Sequence, residues 1–217
     1  MCAVTTHIVF DFDGTLADSK DAVIRLYNAL AEKRGYKALS ADNLEELRKL
    51  SILERCARMG IPPYRLPWLA VQMGRSLREV MTTIAFHEGI PELLAELRRR
   101  GHPLAILSTN REENIRAFLR HHSAEALVES IHCSSSFFGK ARLLRALMKQ
   151  RGLRPDQLVY VGDEHRDVVA CKEVNVRVIA VRWGADAEAR LREAGPDAIA
   201  GHPAEVAELL SRWSERR

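Results

Sequence analysis

The sequence predicts an α/β protein: a doubly wound parallel sheet core with a smaller α-helical insert. Three observations predict it. Short β-branched apolar runs alternate with stretches of helical apolar spacing over most of the chain, as βαβ units require. Residues 18–86 break that alternation and hold only helical patterns. The apolar runs also end in polar and glycine residues, as expected where parallel strands open onto a ligand site.

The first element is His7-Ile8-Val9-Phe10, short, apolar and β-branched, which suits a central strand buried on both faces. In the insert, Val23, Leu26, Tyr27 and Leu30 have helical spacing. Asp42, with Glu45 three residues on, reads as the capping arrangement of a second helix. Pro62, Pro63 and Pro67 interrupt the segment, and Leu77, Val80, Met81 and Ile84 fit a further helix. Hinges are expected near residues 17–20 and 87–91. Beyond them, Leu93, Leu94 and Leu97 share a helical face that Gly101 stops. Residues 104–107 form a strand, and Ile115, Phe118 and Leu119 mark the next helix. Leu143, Leu144, Leu147 and Met148 mark another, which ends at Gly152. Residues 158–161 and 176–181 read as strands. Val206, Leu209, Leu210 and Trp213 follow the i, i+3, i+4, i+7 pattern of a terminal helix. The division predicted is a core of residues 1–17 and 87–217, with residues 18–86 inserted.

A chain of 217 residues has room for that core and insert. With 47% hydrophobic and 29% charged residues, its composition is that of an ordinary folded protein. No apolar run approaches the ~20 residues that cross a bilayer, so no membrane association is expected. The first ten residues lack the layout of a secretory signal. Cys2, Cys56, Cys133 and Cys171 are far apart and form no CxxC pair. Both features point to reduced thiols and a cytoplasmic setting.

The net charge is +4, and residues 18–86 carry all of the excess, with twelve Lys and Arg against eight Asp and Glu. This reads either as a solvated basic surface or as a face for an anionic ligand. Arg48, Lys49, Arg55 and Arg58 recur near helical spacing and are the candidates for the second reading. No Lys/Arg run with interleaved aromatics appears, so nucleic acid is not an expected partner.

Chemistry gathers at the strand ends. Asp11-Phe12-Asp13-Gly14-Thr15 follows the first strand directly, and period-two geometry would aim the two aspartates the same way. Alone, such a pair also describes a turn with capping aspartates. Ser108-Thr109-Asn110 ends the second strand, where hydroxyl, amide and helix N-terminal groups could cradle phosphate or simply cap a helix. Phe138-Gly139-Lys140 leads into a helix. Gly162-Asp163-Glu164-His165-Arg166-Asp167 ends a later strand, and three carboxylates are costly to gather there without a cation.

Taken in order, DxDGT, STN, a lysine and GDxxxD resemble the four-motif signature of the haloacid dehalogenase superfamily, in particular its phosphatase-like members. The resemblance runs from about His7 to near the C-terminus. The helical insert after the first motif resembles the small cap shared by phosphoglycolate phosphatases and β-phosphoglucomutases. The resemblance implies a Rossmann-like core and a set of roles. Asp11 is implied as the nucleophile that becomes an acyl phosphate, and Asp13 as the acid, then base. Thr109, with Gly14 and Asn110, is implied to bind phosphate, and Lys140 to neutralise charge on nucleophile and phosphoryl group. Asp11, the Asp13 carbonyl and Asp163 are implied to hold magnesium, Mg²⁺. Asp167 is implied as an outer-shell carboxylate, and Glu164 as either a ligand or a bystander. His87 and Asn114 receive no role.

The chemistry fits those roles. Phosphoryl transfer needs positioning and charge neutralisation, which Mg²⁺ and lysine provide. A carboxylate nucleophile divides hydrolysis into two steps. An acid neighbour must hold a proton, which burial and adjacent charge favour. Asp13 argues against dehalogenation, because the superfamily's dehalogenases attack carbon without Mg²⁺ and typically lack that residue. The expected activity is hydrolysis of a small phosphomonoester, phosphoglycolate first, by a monomer or homodimer. A phosphomutase and a non-catalytic binding protein on the same fold are the alternatives.

Overall fold

The computed structural model describes residues 6–134 and 139–215; Cys2 and Phe138, named above, lie outside them. Parallel strands β1 (His7–Phe10), β2 (Leu104–Ser108), β3 (Ser130–Cys133), β4 (Leu158–Gly162), β5 (Arg177–Val181) and β6 (Ala198–Ala200) form one sheet in the order β3-β2-β1-β4-β5-β6. The order reverses between β1 and β4, so the crevice at that switch point opens beyond Phe10 and Gly162.

Alternation along the strands builds a core on each face. Ile8, Phe10, Ile106, Val159, Val161, Ile179 and Val181 share one cluster. It packs against α5 (Ile90–Arg99), α6 (Glu112–His121) and α10 (Pro203–Glu215). Val9, Ala105, Leu107, Leu158, Tyr160, Val178 and Ala180 face the opposite way. They meet α7 (Lys140–Arg151), α8 (His165–Glu173) and α9 (Glu188–Ala194). Strands buried on both faces explain why β1, β2 and β4 read as continuous apolar runs.

The insert holds α1 (Lys20–Arg34), α2 (Ala41–Leu47), α3 (Ile52–Met59) and α4 (Leu66–Val80). Tyr27, Ala31, Leu47, Cys56, Met59, Ile61 and Leu66 form its own small core. Leu77, Met81 and Ile84 instead join the main core, so the end of α4 is rooted in the larger body. The two chain passages at its base run side by side. Asp18 N–H donates to Ala85 O at 2.9 Å, and His87 N–H to Leu16 O at 2.9 Å.

Two local expectations are corrected. The second helix begins at Ala41, and its cap is Ser40, whose N–H donates to Asn43 Oδ1 at 3.0 Å, not Asp42 with Glu45. The fourth helix begins at Leu66, ahead of the Leu77–Ile84 pattern, and Pro67, read as an interruption, lies in its opening turn where a missing N–H costs nothing. It stops at Val80, a 3₁₀ turn covers Met81–Thr83, and Ile84 is extended. Among the described residues, no helix is long and apolar enough to cross a membrane.

Candidate active site

β1 delivers Asp11 to the crevice, 4% exposed, with its N–H donating to Val161 O of the neighbouring strand at 2.8 Å. Phe12 turns the other way and packs edge-on against Phe118, ring centroids 5.1 Å apart. This anchor leaves Asp11 and Asp13 on the site side. Asp11 accepts from the Phe12 N–H through Oδ1 at 2.7 Å and from Lys140 through Oδ2. Asp13 accepts from Asn110 Nδ2 through Oδ2 at 2.9 Å, whereas its Oδ1 is buried without a partner among the described residues. Burial and the neighbouring Asp11 charge push the Asp13 carboxyl up to about 6, against the opposing hydrogen bond of Asn110.

Lys140 opens α7 and is 2% exposed, donating to both Asp11 and Asp167. Burial alone would lower its pKa; the two carboxylates outweigh that and hold the ammonium well above its ordinary range. Asp163 ends β4 fully buried, accepting from Thr15 Oγ1 at 2.6 Å and from the Ala185 N–H at 2.7 Å. Gly14 and Gly184 press on Asp163 from two sides, and a Cβ at either position would collide with its carboxylate. Gly14 also has φ +78°, and its N–H is committed to Ala17 O at 3.0 Å.

Asp11, Asp163 and Asp167 are buried, and each offers a carboxylate oxygen within 4.8 Å of the others. Burial and the charges of Glu164, Asp11 and Asp167 drive the Asp163 carboxyl well above the ordinary range. Burial likewise lifts Asp167 to about 7, although Lys140 pulls the other way. One ammonium does not balance three buried carboxylates, and an all-oxygen donor set fits a hard divalent cation such as Mg²⁺. Within that trio Asp167 is already engaged by Lys140 and by the Glu164 N–H at 3.3 Å. Glu164 itself is held by Arg166, Nε to Oε2 at 2.6 Å. Burial would raise its pKa, but Arg166 and Lys140 keep it below the ordinary value.

Thr109 is half-buried at the end of β2. Two N–H groups of that turn are spent within it: Asn110 donates to Ser108 Oγ at 3.0 Å and Arg111 to Asn110 Oδ1 at 2.7 Å. His87 sits at the base of the insert with Nε2 buried and without a partner among the described residues. The basic insert residues divide. Arg48 donates to the carbonyls of Ala185 at 3.2 Å and Gly184 at 3.1 Å, and Arg55 pairs with Asp186. Lys49 is exposed, and Arg58 lies 3.7 Å from Glu46 on the surface.

The loop after β5 is the part of the site that sequence reasoning missed. Trp183 Nε1 donates to Thr15 O at 3.1 Å, and Asp186 accepts from the His165 N–H at 2.7 Å. Its position beyond the carboxyl end of a strand was the available signal.

A doubly wound sheet with buried carboxylates and a lysine gathered at its switch point defines an α/β protein with a candidate active site beyond the carboxyl ends of its strands. The chain belongs to the haloacid dehalogenase-like hydrolase family, whose model matches residues 8–181. It is 33% identical over 205 residues to a phosphoglycolate phosphatase of Synechococcus elongatus, covering 94% of this chain and 97% of that one. It is 27% identical to a 5'-nucleotidase of Pseudomonas aeruginosa, covering 88% of each. A haloacid dehalogenase-like family hydrolase from Streptococcus pneumoniae superposes with TM-score 0.80 at 22% identity, over 95% of this chain and 99% of that one. The chain is a phosphatase of this family.

Proposed function

We propose that the chain hydrolyses a small phosphomonoester through an aspartyl phosphate on Asp11, with phosphoglycolate as the first substrate class to test. The observation that carries this reading is the division between the two aspartates of the first motif. Asp11 is held by Lys140 and the Phe12 N–H, whereas the Asp13 carboxyl is raised to about 6 and leaves one oxygen unpaired among the described residues. Likeness to a phosphoglycolate phosphatase supports the substrate class.

Asp11 Oδ attacks phosphorus as Asp13 gives its proton to the leaving alcohol oxygen. Asp13 then accepts a proton from the water that cleaves the acyl phosphate. Thr109 and Lys140 hold the phosphoryl oxygens, and Asp167 keeps Lys140 on Asp11. Asp11, Asp163 and the Asp13 carbonyl would hold Mg²⁺, which supplies neutralisation of phosphoryl charge. Residues 18–86 act as a cap over the core of residues 1–17 and 87–217.

The test is phosphate release from phosphoglycolate, nucleoside monophosphates and sugar phosphates, with Mg²⁺ or EDTA, by wild type and Asp11→Asn. Expected are Mg²⁺-dependent release, fastest on phosphoglycolate, and a loss of about 10³-fold or more in the variant. Release that persists in Asp11→Asn would sink the nucleophile assignment. Return of the phosphoryl group to sugar instead of water would replace hydrolysis with mutase chemistry.

A further inference from the structure

We propose that Asn114 is a positioning residue that ties the docking of the insert helix α4 to the orientation of the acid, Asp13. The proposal rests on Asp13 being that acid.

Asn114 lies on α6, fully buried. Its Nδ2 donates to two acceptors: Gly74 O of α4 at 2.8 Å and Asn110 Oδ1 at 2.9 Å. Asn110 Oδ1 also accepts from the Arg111 N–H at 2.7 Å. Two donors aimed at one oxygen settle which way the Asn110 amide faces, because the flipped amide would set N–H against N–H. The Asn110 Nδ2 therefore points at Asp13 Oδ2, at 2.9 Å. An Oδ2 that accepts this bond leaves the acidic proton on Oδ1, the oxygen with no hydrogen-bond partner among the described residues. That oxygen, unlike Oδ2, is not committed to a donor among the described residues. Asn110 thus selects which oxygen carries the proton, Asn114 fixes Asn110, and Gly74 supplies the second acceptor that holds Asn114.

Asn114 also breaks a packing rule. Its Oδ1 is buried with no partner among the described residues, a cost an apolar side chain of the same shape would avoid. An amide kept at that cost is one whose N–H groups are used. When α4 is docked, both are; when α4 lifts, Asn114 loses the Gly74 acceptor and its hold on Asn110 loosens.

The test compares first-turnover release of the alcohol from an alkyl ester, phosphoglycolate, and from p-nitrophenyl phosphate, whose leaving group needs no proton. Asp13→Asn is the reference for loss of the acid. Asn114→Leu and Asn114→Asp keep the side-chain shape and remove the donated bonds. Expected for both is a loss of about ten- to a hundred-fold on the alkyl ester, part of the usual worth of a general acid. On the aryl ester the loss is under about three-fold, and half-saturating concentrations move less than about two-fold. Thermal midpoints report whether each variant folds. Equal losses on both esters would leave Asn114 a packing residue and overturn the proposal. If Asp13→Asn shows the leaving-group dependence and the Asn114 variants do not, the proposal fails while the acid assignment stands. If Asp13→Asn itself shows none, the acid assignment fails and takes the proposal with it.

Discussion

Lys140 is held between two carboxylates with its side chain 3% exposed, and the Asp11 and Asp167 side chains are 5% and 0% exposed. Removing the ammonium leaves two buried like charges without the cation they share, the expensive half of a buried ion pair. Lys140→Met in EDTA is expected to lose about 3–5 kcal/mol in denaturant unfolding. Added Mg²⁺ should recover part of the loss. A variant as stable as wild type in EDTA would show that Lys140 does not neutralise this cluster. The residues of this centre were legible because each motif is a local signal: a DxD after an apolar run, a Gly-Asp at the end of another. Asn114 and Asp186 were not. Asn114 finds Gly74 forty positions away and Asp186 finds Arg55 across 131, and no local spacing encodes such partners.

At the scale of elements, α2 and α3 are tied to the loop after β5. Arg48 reaches the Gly184 and Ala185 carbonyls and Arg55 reaches Asp186, while Ala187 N–H donates to Arg48 O at 3.0 Å. The same loop donates to Asp163, so the insert leans on the backbone that supports a candidate metal ligand. The basic residues offered as substrate contacts are thus partly spent on internal attachment. A double-mutant cycle of Arg55→Ala and Asp186→Asn should give a coupling of about 1–3 kcal/mol, as for contacting charges with little exposure. The single variants should also be nicked faster at the passages flanking the insert under limited proteolysis. A coupling near zero with unchanged nicking would mean the attachment does not hold the insert. Element by element, the strands that escaped the sequence were the outer ones. β3, Ser130-Ile131-His132-Cys133, is half-buried and polar at an edge, and β6 has three residues. Neither offers the apolar run that double-sided burial writes into β1, β2 and β4. The Ser40–Asn43 cap was hidden because Asp42 and Glu45 offered the same spacing two residues on.

Over the whole molecule, the site sets how stability should vary with pH. Asp13 stands at about 6 in the folded chain against an ordinary 3.8, raised chiefly by burial and then by Asp11. Its folded form therefore binds the proton more tightly than its unfolded form, and ionisation favours unfolding. The sign follows: below pH 4 both states hold the proton and nothing is lost. Between about pH 4 and 6 stability falls as pH rises, and above about 6 the loss is complete. A shift of that size corresponds to roughly 3 kcal/mol. Asp167, raised to about 7, acts in the same direction and extends the fall upward. Other carboxylates titrate in the same range, so the comparison is with Asp13→Asn, which cannot ionise. In EDTA, the stability of Asp13→Asn relative to wild type should rise from pH 4 to pH 6 and then level. Mg²⁺ should stabilise wild type more at pH 7 than at pH 4, because a cation favours the ionised cluster that the fold alone penalises. A difference between the two proteins that stays flat from pH 4 to pH 7 would show that burial does not hold the Asp13 proton. The acid step assigned to Asp13 would then need another source for its proton.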